Sequence, residues 1–291
     1  MATGTTEVSV TGDSIEPGQT KSGPISIAGR VGRVALNYLL VLSLFGYYSF
    51  GAAMAELGSR SAGYRNAGIV WTIQRFLHLP DEAWLQQMTL ADNGLYAVLN
   101  RYYAFVHFPA SLFFVIWVSV ARRDQWKRIA AALSVTTFLY LTIDAVFPVA
   151  PPRLYAPAGM VDTLAKFGPD VYGAEAVRSV ADQYGAMPSI HFGWSVFVAW
   201  GIIQLAPKLG VFRWLAVVHP LMTLAAVTLT GNHYWLDCLV AGLLVPVGIW
   251  LTDQWMRRTT PSMRARMRRP LLIAAIPLCL FGLYNISGIF I

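Results

Sequence analysis

The chain has 291 residues, of which 56% are hydrophobic and 13% are charged. Soluble domains carry about 25% charged residues, so this composition excludes an ordinary soluble protein and indicates one that lies mainly in a membrane. Only two cysteines occur, Cys238 and Cys279, and this number excludes a disulfide framework or a cysteine-rich zinc site.

Seven stretches of roughly 20 mainly apolar residues can cross a membrane as helices. In chain order they are 34–54, 99–121, 129–147, 190–206, 213–231, 234–255 and 271–291. The first is longer than the core of a signal peptide and is expected to be a retained span. Pro277 and Asn285 interrupt the last stretch, so the sequence predicts about six or seven transmembrane helices.

The net charge of +7 is explained by membrane topology rather than by nucleic acid as a partner. Most basic residues lie before the first stretch and after the second, fourth and sixth, which places them on one side of the membrane if every stretch spans it. Loops rich in Lys and Arg are usually cytoplasmic. We therefore expect an integral plasma membrane protein with a cytoplasmic amino terminus.

The predicted organisation is a single membrane domain in four parts. Residues 1–29 are polar and form a disordered cytoplasmic tail. Residues 30–98 hold the first span and an outer segment, 55–98, whose mixed aromatic and arginine residues are typical of interfacial amphipathic helices. Residues 99–255 form the core, and 256–291 a basic loop with the last span.

Two polar motifs, AMPSIH at 186–191 and TGNHYWLD at 230–237, each lie where an apolar stretch begins. AMPSIH contributes His191, and TGNHYWLD contributes His233 and Asp237. Residues four apart share a helix face, so Asp237 is expected to reach His233 and hold its ring. Because ionisable residues are costly inside lipid, the two motifs predict one functional site on the outer side.

The residue types in these motifs suit phosphoryl transfer. His233 can act as a nucleophile toward phosphorus or as a general base, and His191 can donate a proton to a departing oxygen. Ser189, Asn232 and Arg153 are candidates for binding phosphate oxygens, and Arg153 offers a guanidinium that can bind phosphate through two parallel bonds. A site of this kind needs no metal and no cofactor.

PSIH at 188–191 and GNHYWLD at 231–237 resemble the second and third signature motifs of the type 2 phosphatidic acid phosphatase superfamily. The resemblance implies an all-α integral membrane fold with a six-helix core and the site at one membrane face. It also implies that His233 forms a phosphohistidine, that Asp237 orients His233, and that His191 is the acid. Residues of the core then form the catalytic unit.

FPVAPPRL at 147–154, together with the two motifs, is similar to bacterial relatives of fungal inositol-phosphorylceramide synthase. That branch carries an Asn-Tyr-His pattern ahead of its core, and NRYYAFVHFP offers Asn100, Tyr103 and His107. Helical spacing puts these three on one face, where substrate binding and helix packing are equally good explanations. The resemblance covers roughly 95–255, and this branch implies an inositol phosphate donor.

The sequence departs from the superfamily pattern at positions that normally hold the phosphate. Ala226 and Val227 replace a serine and an arginine, and Val146 and Leu154 replace a lysine and a proline of the first motif. Arg153 is then the leading phosphate clamp. Loss of the other cations favours a phosphodiester donor, which carries less charge than a monoester.

Other charged residues are further candidates for the substrate site. Asp144 lies near the outer end of the third stretch, where it either serves the site or forms a structural ion pair with Arg153 or His191. Arg101, Lys166 and Arg178 are possible helper cations from the outer side.

The main prediction is an enzyme that moves a phosphoryl or phospho-headgroup unit from a phospholipid to a lipid or glycan hydroxyl. A lipid phosphate phosphatase, with water as the acceptor, is the alternative. A metal-dependent hydrolase would use His107, His191, His233 and Asp237, and a lipid transporter is the non-enzymatic hypothesis, although the chain shows no repeated halves. The predicted partners are a phospholipid and the bilayer, and the sequence carries no signal for an oligomeric state.

Overall fold

The computed structural model describes residues 60–168 and 184–259, together with Gly46, Ser262 and Met263. The predicted tail, most of the first predicted span and the whole of the last one lie outside the described residues. Within the described residues all regular secondary structure is helical, and Val149 and Gly185 form an isolated parallel bridge. The prediction of an all-α fold is therefore confirmed for this part of the chain.

The α-helices of the described residues are numbered here in chain order. They are α1 Arg60–Phe76, α2 Glu82–Thr89, α3 Asn93–Arg101, α4 His107–Ala121, α5 Trp126–Val146, α6 Thr163–Phe167, α7 Ile190–Leu205, α8 Val218–Leu229 and α9 Trp235–Arg258. A π-helix at Tyr102–Val106 joins α3 to α4, and 3₁₀ helices form at Ala156–Ala158 and Pro207–Val217.

Four helical segments are long and apolar enough to cross a membrane. They are Asn93–Ala121, Trp126–Val146, Pro207–Leu229 and Trp235–Arg258, and α7 is a shorter apolar helix of 16 residues. These five coincide with the second to sixth predicted stretches. The chain is thus a membrane protein, and the part of it that the structure describes contains four helical segments of spanning length and one shorter apolar helix.

The helices pack closely where glycine faces a larger side chain. A Cβ atom on Gly248 of α9 would lie 2.1 Å from Oγ1 of Thr136 in α5, and one on Gly193 of α7 would lie 2.1 Å from the Tyr140 hydroxyl. Interiors are packed without room for an extra methyl group. An apolar core around Phe114 and Phe197 fills the space between α4, α5, α7 and α9.

The π-helix has a local cause in the sequence. Pro109 has no N–H to donate to the carbonyl of Phe105 four residues earlier, and its ring crowds that carbonyl. The preceding turn widens into the π form at Tyr102–Val106. The side chains of α3 and α4 therefore do not keep the regular helical spacing that the sequence prediction assumed.

The described part of the outer segment, from Arg60, is mainly helical, and hydrogen bonds join it to the rest of the molecule. The side chain of Asn66 in α1 donates to the Pro148 carbonyl at 2.8 Å, and the Ala150 amide donates to the Gly63 carbonyl at 3.0 Å. In α2, the polar Glu82 and Gln86 are 1% exposed, whereas Trp84 and Met88 are exposed. The apolar face of α2 thus points outward and its polar face points into the protein.

Candidate active site

Three loops meet at one end of the helix bundle and bring the two motifs together. The Ala186 amide donates to the Val149 carbonyl at 3.0 Å, which joins the second motif to the loop after α5. The Arg153 amide donates to the Gly231 carbonyl at 2.9 Å, which joins the same loop to the third motif. The Ser189 amide donates to the Asp237 carbonyl at 3.2 Å. Both predicted motifs therefore contribute to a single site.

His233 is bonded to two backbone carbonyls, one through its side chain and one through its amide. Its Nδ1 lies 2.7 Å from the Ala186 carbonyl, and its amide donates to the Val227 carbonyl at 3.0 Å. A carbonyl oxygen only accepts hydrogen bonds, so neutral His233 carries its proton on Nδ1. The Nε2 atom then has a lone pair, which is what a nucleophile or a base requires.

Asp237 is close to His233 but does not share a hydrogen bond with it. The nearest carboxylate oxygen is 3.7 Å from Nδ1 of His233, beyond hydrogen-bond distance. The same oxygen accepts the Tyr234 amide at 2.7 Å, and Asp237 is fully buried. The proximity predicted from the four-residue spacing is present, but the Ala186 carbonyl is the direct partner of the imidazole.

His191 lies between His233 and two aromatic residues of the first described span. Its ring centroid is 5.7 Å from that of His233, with the rings inclined at 55°. The Tyr103 ring stacks on His191 at 4.6 Å, and the His107 ring lies at 5.1 Å. His219 continues the row 5.7 Å beyond His107, with its Nδ1 hydrogen-bonded to the Tyr102 hydroxyl.

Asn100 does not join Tyr103 and His107 at the histidine row. Its amide nitrogen donates to the carbonyls of Thr163 at 2.8 Å and Gly168 at 3.0 Å, and its oxygen accepts the Thr163 hydroxyl. Of the three residues expected on one face, two contact His191 and one fastens α6. The π-helix at Tyr102–Val106, which contains Tyr103 and ends one residue before His107, departs from the regular helical spacing on which that expectation rested.

Arg153 is fixed in place by neighbouring polar groups. Its Nη1 donates to the Asn232 side-chain oxygen at 2.6 Å, and its Nε lies 3.4 Å from the Asp162 carboxylate. The Asn232 amide nitrogen in turn donates to the Thr230 hydroxyl at 2.6 Å. Gly231 between them has φ of +74°, and a Cβ there would lie 3.2 Å from the Cβ of Arg153, so glycine is required.

The remaining site candidates differ in burial and in the groups that they contact. Ser189 is buried and its hydroxyl accepts the Phe192 amide at 3.3 Å as the N-cap of α7. Asp144 is 8% exposed near the end of α5. Lys166 and Arg101 are exposed, the first over the Phe167 ring and the second bonded to its own helix. Arg178 lies outside the described residues.

The positions at which this chain lacks the polar residues of the superfamily pattern are not all at the site. Ala226 and Val227 are fully buried in an apolar cluster with Leu99 and Leu164. Val146 is 79% exposed at the end of α5. None of these side chains can bind phosphate. Among the residues described, the guanidinium nearest the motifs is that of Arg153.

The surroundings of His233 favour its neutral form. Burial lowers the pKa of His233 to about 4, the hydrogen bond to the Ala186 carbonyl opposes this shift, and the positive charge of Arg153 adds to it. At neutral pH the imidazole is therefore uncharged, with its Nε2 lone pair available.

Sequence reasoning missed a buried carboxylate beside the third motif. Glu82 accepts the Trp235 amide at 3.1 Å, and burial raises the pKa of Glu82 while that hydrogen bond opposes the rise. No signature motif marks Glu82. The only signal in the sequence was an acidic residue in the outer segment.

A family model described as the PAP2 superfamily matches residues 68–252. No curated protein matches the chain, and no solved structure matches it. The matched range begins within α1, so it includes α2 and starts earlier than the boundary near residue 95 expected from the motifs.

Proposed function

Because this chain belongs to the PAP2 superfamily, whose members carry out phosphatase or phosphotransferase chemistry, we propose that it transfers a phospho group from a membrane phospholipid through a phosphohistidine on His233. One observation supports this most strongly. The ring centroids of His191 and His233 lie 5.7 Å apart. The Ala186 carbonyl is hydrogen-bonded to Nδ1 of His233, so Nε2 is the proposed reactive atom.

The proposed reaction has two steps. In the first, Nε2 of His233 attacks phosphorus, the bond from phosphorus to the glycerol oxygen breaks, and His191 gives its proton to the departing diacylglycerol. In the second, the acceptor hydroxyl gives its proton to His191 and attacks phosphorus, and the N–P bond breaks. His191 thereby regains the proton that it gave up in the first step, and His233 is regenerated.

Arg153 is proposed to hold the transferred group. Its guanidinium is 5% exposed and carries a fixed positive charge beside His233, and such a group stabilises charge that develops on phosphate oxygens. Asn232 contributes through Arg153, which it holds at 2.6 Å. The Ser189 hydroxyl and the first amides of α7 complete the proposed phosphate site.

An inositol phosphate donor and a lipid or glycan hydroxyl acceptor are the proposed specificity. The missing cations support a diester donor, because Ala226 and Val227 are buried among apolar side chains and provide no charge for a dianionic monoester. Tyr103 and His107 beside His191 are proposed to contact the donor or acceptor, while Asp144, Lys166 and Asn100 are proposed to shape the rim of the site.

The site is proposed to face the outside of the plasma membrane. The basic residues Arg122 and Arg123 lie between α4 and α5, and Lys127 lies in the first turn of α5, at the opposite ends of these helices from the site. Because basic loops are usually cytoplasmic, this arrangement supports an extracytoplasmic site.

A product assay on the purified protein in lipid tests the proposal. Phosphatidylinositol or phosphatidic acid is supplied as the donor, with and without an alcohol acceptor, and a chelator is present throughout. Diacylglycerol formation with the headgroup recovered on the acceptor indicates a phosphotransferase. Free phosphate from phosphatidic acid, with no transfer, indicates the phosphatase alternative.

Two histidine variants control the assay. His233→Ala is expected to abolish both products. His78→Asn, at an exposed turn where φ is +54°, should leave them unchanged because asparagine tolerates that conformation. Full activity in His233→Ala would overturn the phosphohistidine proposal, and loss of wild-type activity with chelator would favour the metal-dependent hydrolase.

A further inference from the structure

The polar face of α2 joins the outer segment to the third motif. Glu82 is 1% exposed, and its two oxygens have separate partners. One accepts the Trp235 amide at 3.1 Å, and the other accepts the Gln74 side-chain amide at 2.9 Å. The Arg75 guanidinium lies 3.6 Å away. A carboxylate this deeply buried normally has such partners, because an unpaired one is costly.

The amide that Glu82 binds belongs to the first residue of α9. The first amides of a helix have no partner within the helix. Here two carboxylates take two successive amides: Asp237 accepts the Tyr234 amide at 2.7 Å, and Glu82 accepts that of Trp235. These amides directly follow His233, so the two bonds fix where α9 begins and where the turn carrying His233 ends.

A second side chain of α2 strengthens this connection. The Gln86 amide nitrogen donates to the carbonyls of Leu229 and Val161, both at 2.9 Å, and its oxygen accepts the Val161 amide at 2.7 Å. Leu229 ends α8 just before the third motif, and Val161 precedes Asp162, which contacts Arg153. The helix α2 therefore holds the third motif from both sides.

We propose that Glu82 is a positioning residue of the phosphohistidine site, acting through the Trp235 amide to hold Nε2 of His233 in line with the substrate phosphorus. This inference rests on the proposed function. Glu82 makes no contact with the imidazole, so its effect is on geometry. Errors of about 1 Å in such positioning can cost about 100-fold in rate.

Two variants of Glu82 test the inference, and a third variant serves as their control. Glu82→Ala removes the acceptor of the Trp235 amide and should slow single-turnover phosphorylation of His233 about tenfold or more, with KM changed less than about threefold. Glu82→Gln keeps an oxygen for that amide, and its new N–H groups can donate to the Gln74 oxygen, which has no hydrogen-bond partner in the structure. Its rate should stay within about threefold of wild type.

The matched control is Asp81→Ala. Asp81 caps α2 by accepting the Trp84 amide at 3.0 Å and is bonded to Arg75 at 2.7 Å, but it does not contact α9. Its loss should lower thermal stability in detergent, as for other N-cap losses of about 1 kcal/mol, without slowing phosphorylation of the folded fraction.

The outcomes separate the inference from the function on which it rests. If wild type and Glu82→Ala form phosphohistidine equally fast, or if Glu82→Ala is slowed only as much as Asp81→Ala, the positioning role is wrong and the proposed function stands. If Glu82→Gln is as slow as Glu82→Ala, the hydrogen bond is not the cause and the role is likewise overturned. If wild type forms no phosphohistidine while it turns over substrate, the proposed function itself fails.

Discussion

The two nitrogen atoms of His233 have separate environments, and the proposed chemistry depends on this difference. Nδ1 faces the Ala186 carbonyl at 2.7 Å, while the buried Asp237 lies at 3.7 Å. A backbone acceptor fixes the ring and its tautomer without adding a negative charge. The reactive atom is then set by the meeting of the second and third motifs rather than by the third motif alone.

The pH dependence of kcat/KM follows from the low pKa of His233. Protonation removes the Nε2 lone pair, so activity should fall as the pH drops through the pKa. Because this pKa is about 4, the acidic limb should lie near pH 4 instead of near the ordinary histidine value of about 6.5. The profile is measured on purified protein in lipid between about pH 3 and 8.

A charge variant distinguishes His233 from other titrating groups. The Arg153 charge lowers the pKa of His233, so the residual activity of Arg153→Gln should have its acidic limb shifted to higher pH. An acidic limb near pH 6.5 in wild type, or one that does not move in this variant, would contradict the assignment of that limb to His233.

The shape of the Arg153 side chain should matter as well as its charge. Its planar guanidinium bonds Asn232, and a lysine ammonium cannot match this geometry. Arg153→Lys should lower kcat/KM about 10- to 100-fold, equivalent to one lost charged hydrogen bond. Steady-state kinetics check this, with Arg101→Lys as an exposed control that should match wild type.

The sequence located some of these residues and not others for identifiable reasons. His191, His233 and Arg153 could be found because motif and chemistry both single them out. The Ala186 and Val227 carbonyls could not, since every residue has a carbonyl and only the folded loops select a partner. Asn232 was expected to bind phosphate directly, but its side chain bonds Arg153 and Thr230.

The helices show where hydrophobic patterning succeeds and where it stops. Five predicted apolar stretches are helices because length and composition determine spanning segments. The first described span nevertheless begins at Asn93 instead of 99, since its first turn is capped by the polar Asp92. The π-helix before Pro109 then changes the spacing of Tyr103 and His107, and Asn100 bonds the Thr163 and Gly168 carbonyls, which regular helical spacing does not predict.

Close helix packing predicts the effect of one added methyl group. Gly193→Ala would place a Cβ 2.1 Å from the Tyr140 hydroxyl, which donates to the Ala241 carbonyl. The forced shift should destabilise the protein by about 1–3 kcal/mol. Gly242→Ala is the control, because its Cβ would meet the Phe192 ring at 3.3 Å, where a small movement suffices.

Thermal unfolding in detergent measures both glycine variants. Gly193→Ala should have a lower Tm than wild type, and Gly242→Ala should differ little. Equal Tm values for wild type and Gly193→Ala would mean that α5 and α7 are farther apart than described.

The outer helices belong to the same structural unit as the spans. Sequence patterning treated 55–98 as a peripheral interfacial segment, because its aromatic residues resemble a membrane-surface pattern. The polar residues Gln74, Glu82 and Gln86 of that segment are buried. Glu82 bonds the Trp235 amide of the third motif, and Gln86 bonds the Leu229 carbonyl just before that motif. The family match from residue 68 agrees with this arrangement.

The orientation of the whole molecule can be tested with two single cysteines in a background that lacks Cys238 and Cys279. Ala156→Cys lies at the site end and Asp124→Cys in the basic turn between α4 and α5, and both positions are exposed. A membrane-impermeant maleimide should label the first in intact cells and the second only after permeabilisation. The reverse pattern would place the site in the cytoplasm.

The decisive measurement for the whole molecule is rapid quenching of wild-type protein with labelled donor, followed by identification of the modified peptide. We expect a phosphoramidate that is stable in base and labile in acid, located on His233, and lost when acceptor is added. His233→Ala should give no such adduct. Steady turnover without any adduct, or an adduct on a residue other than His233, would contradict the proposed chemistry.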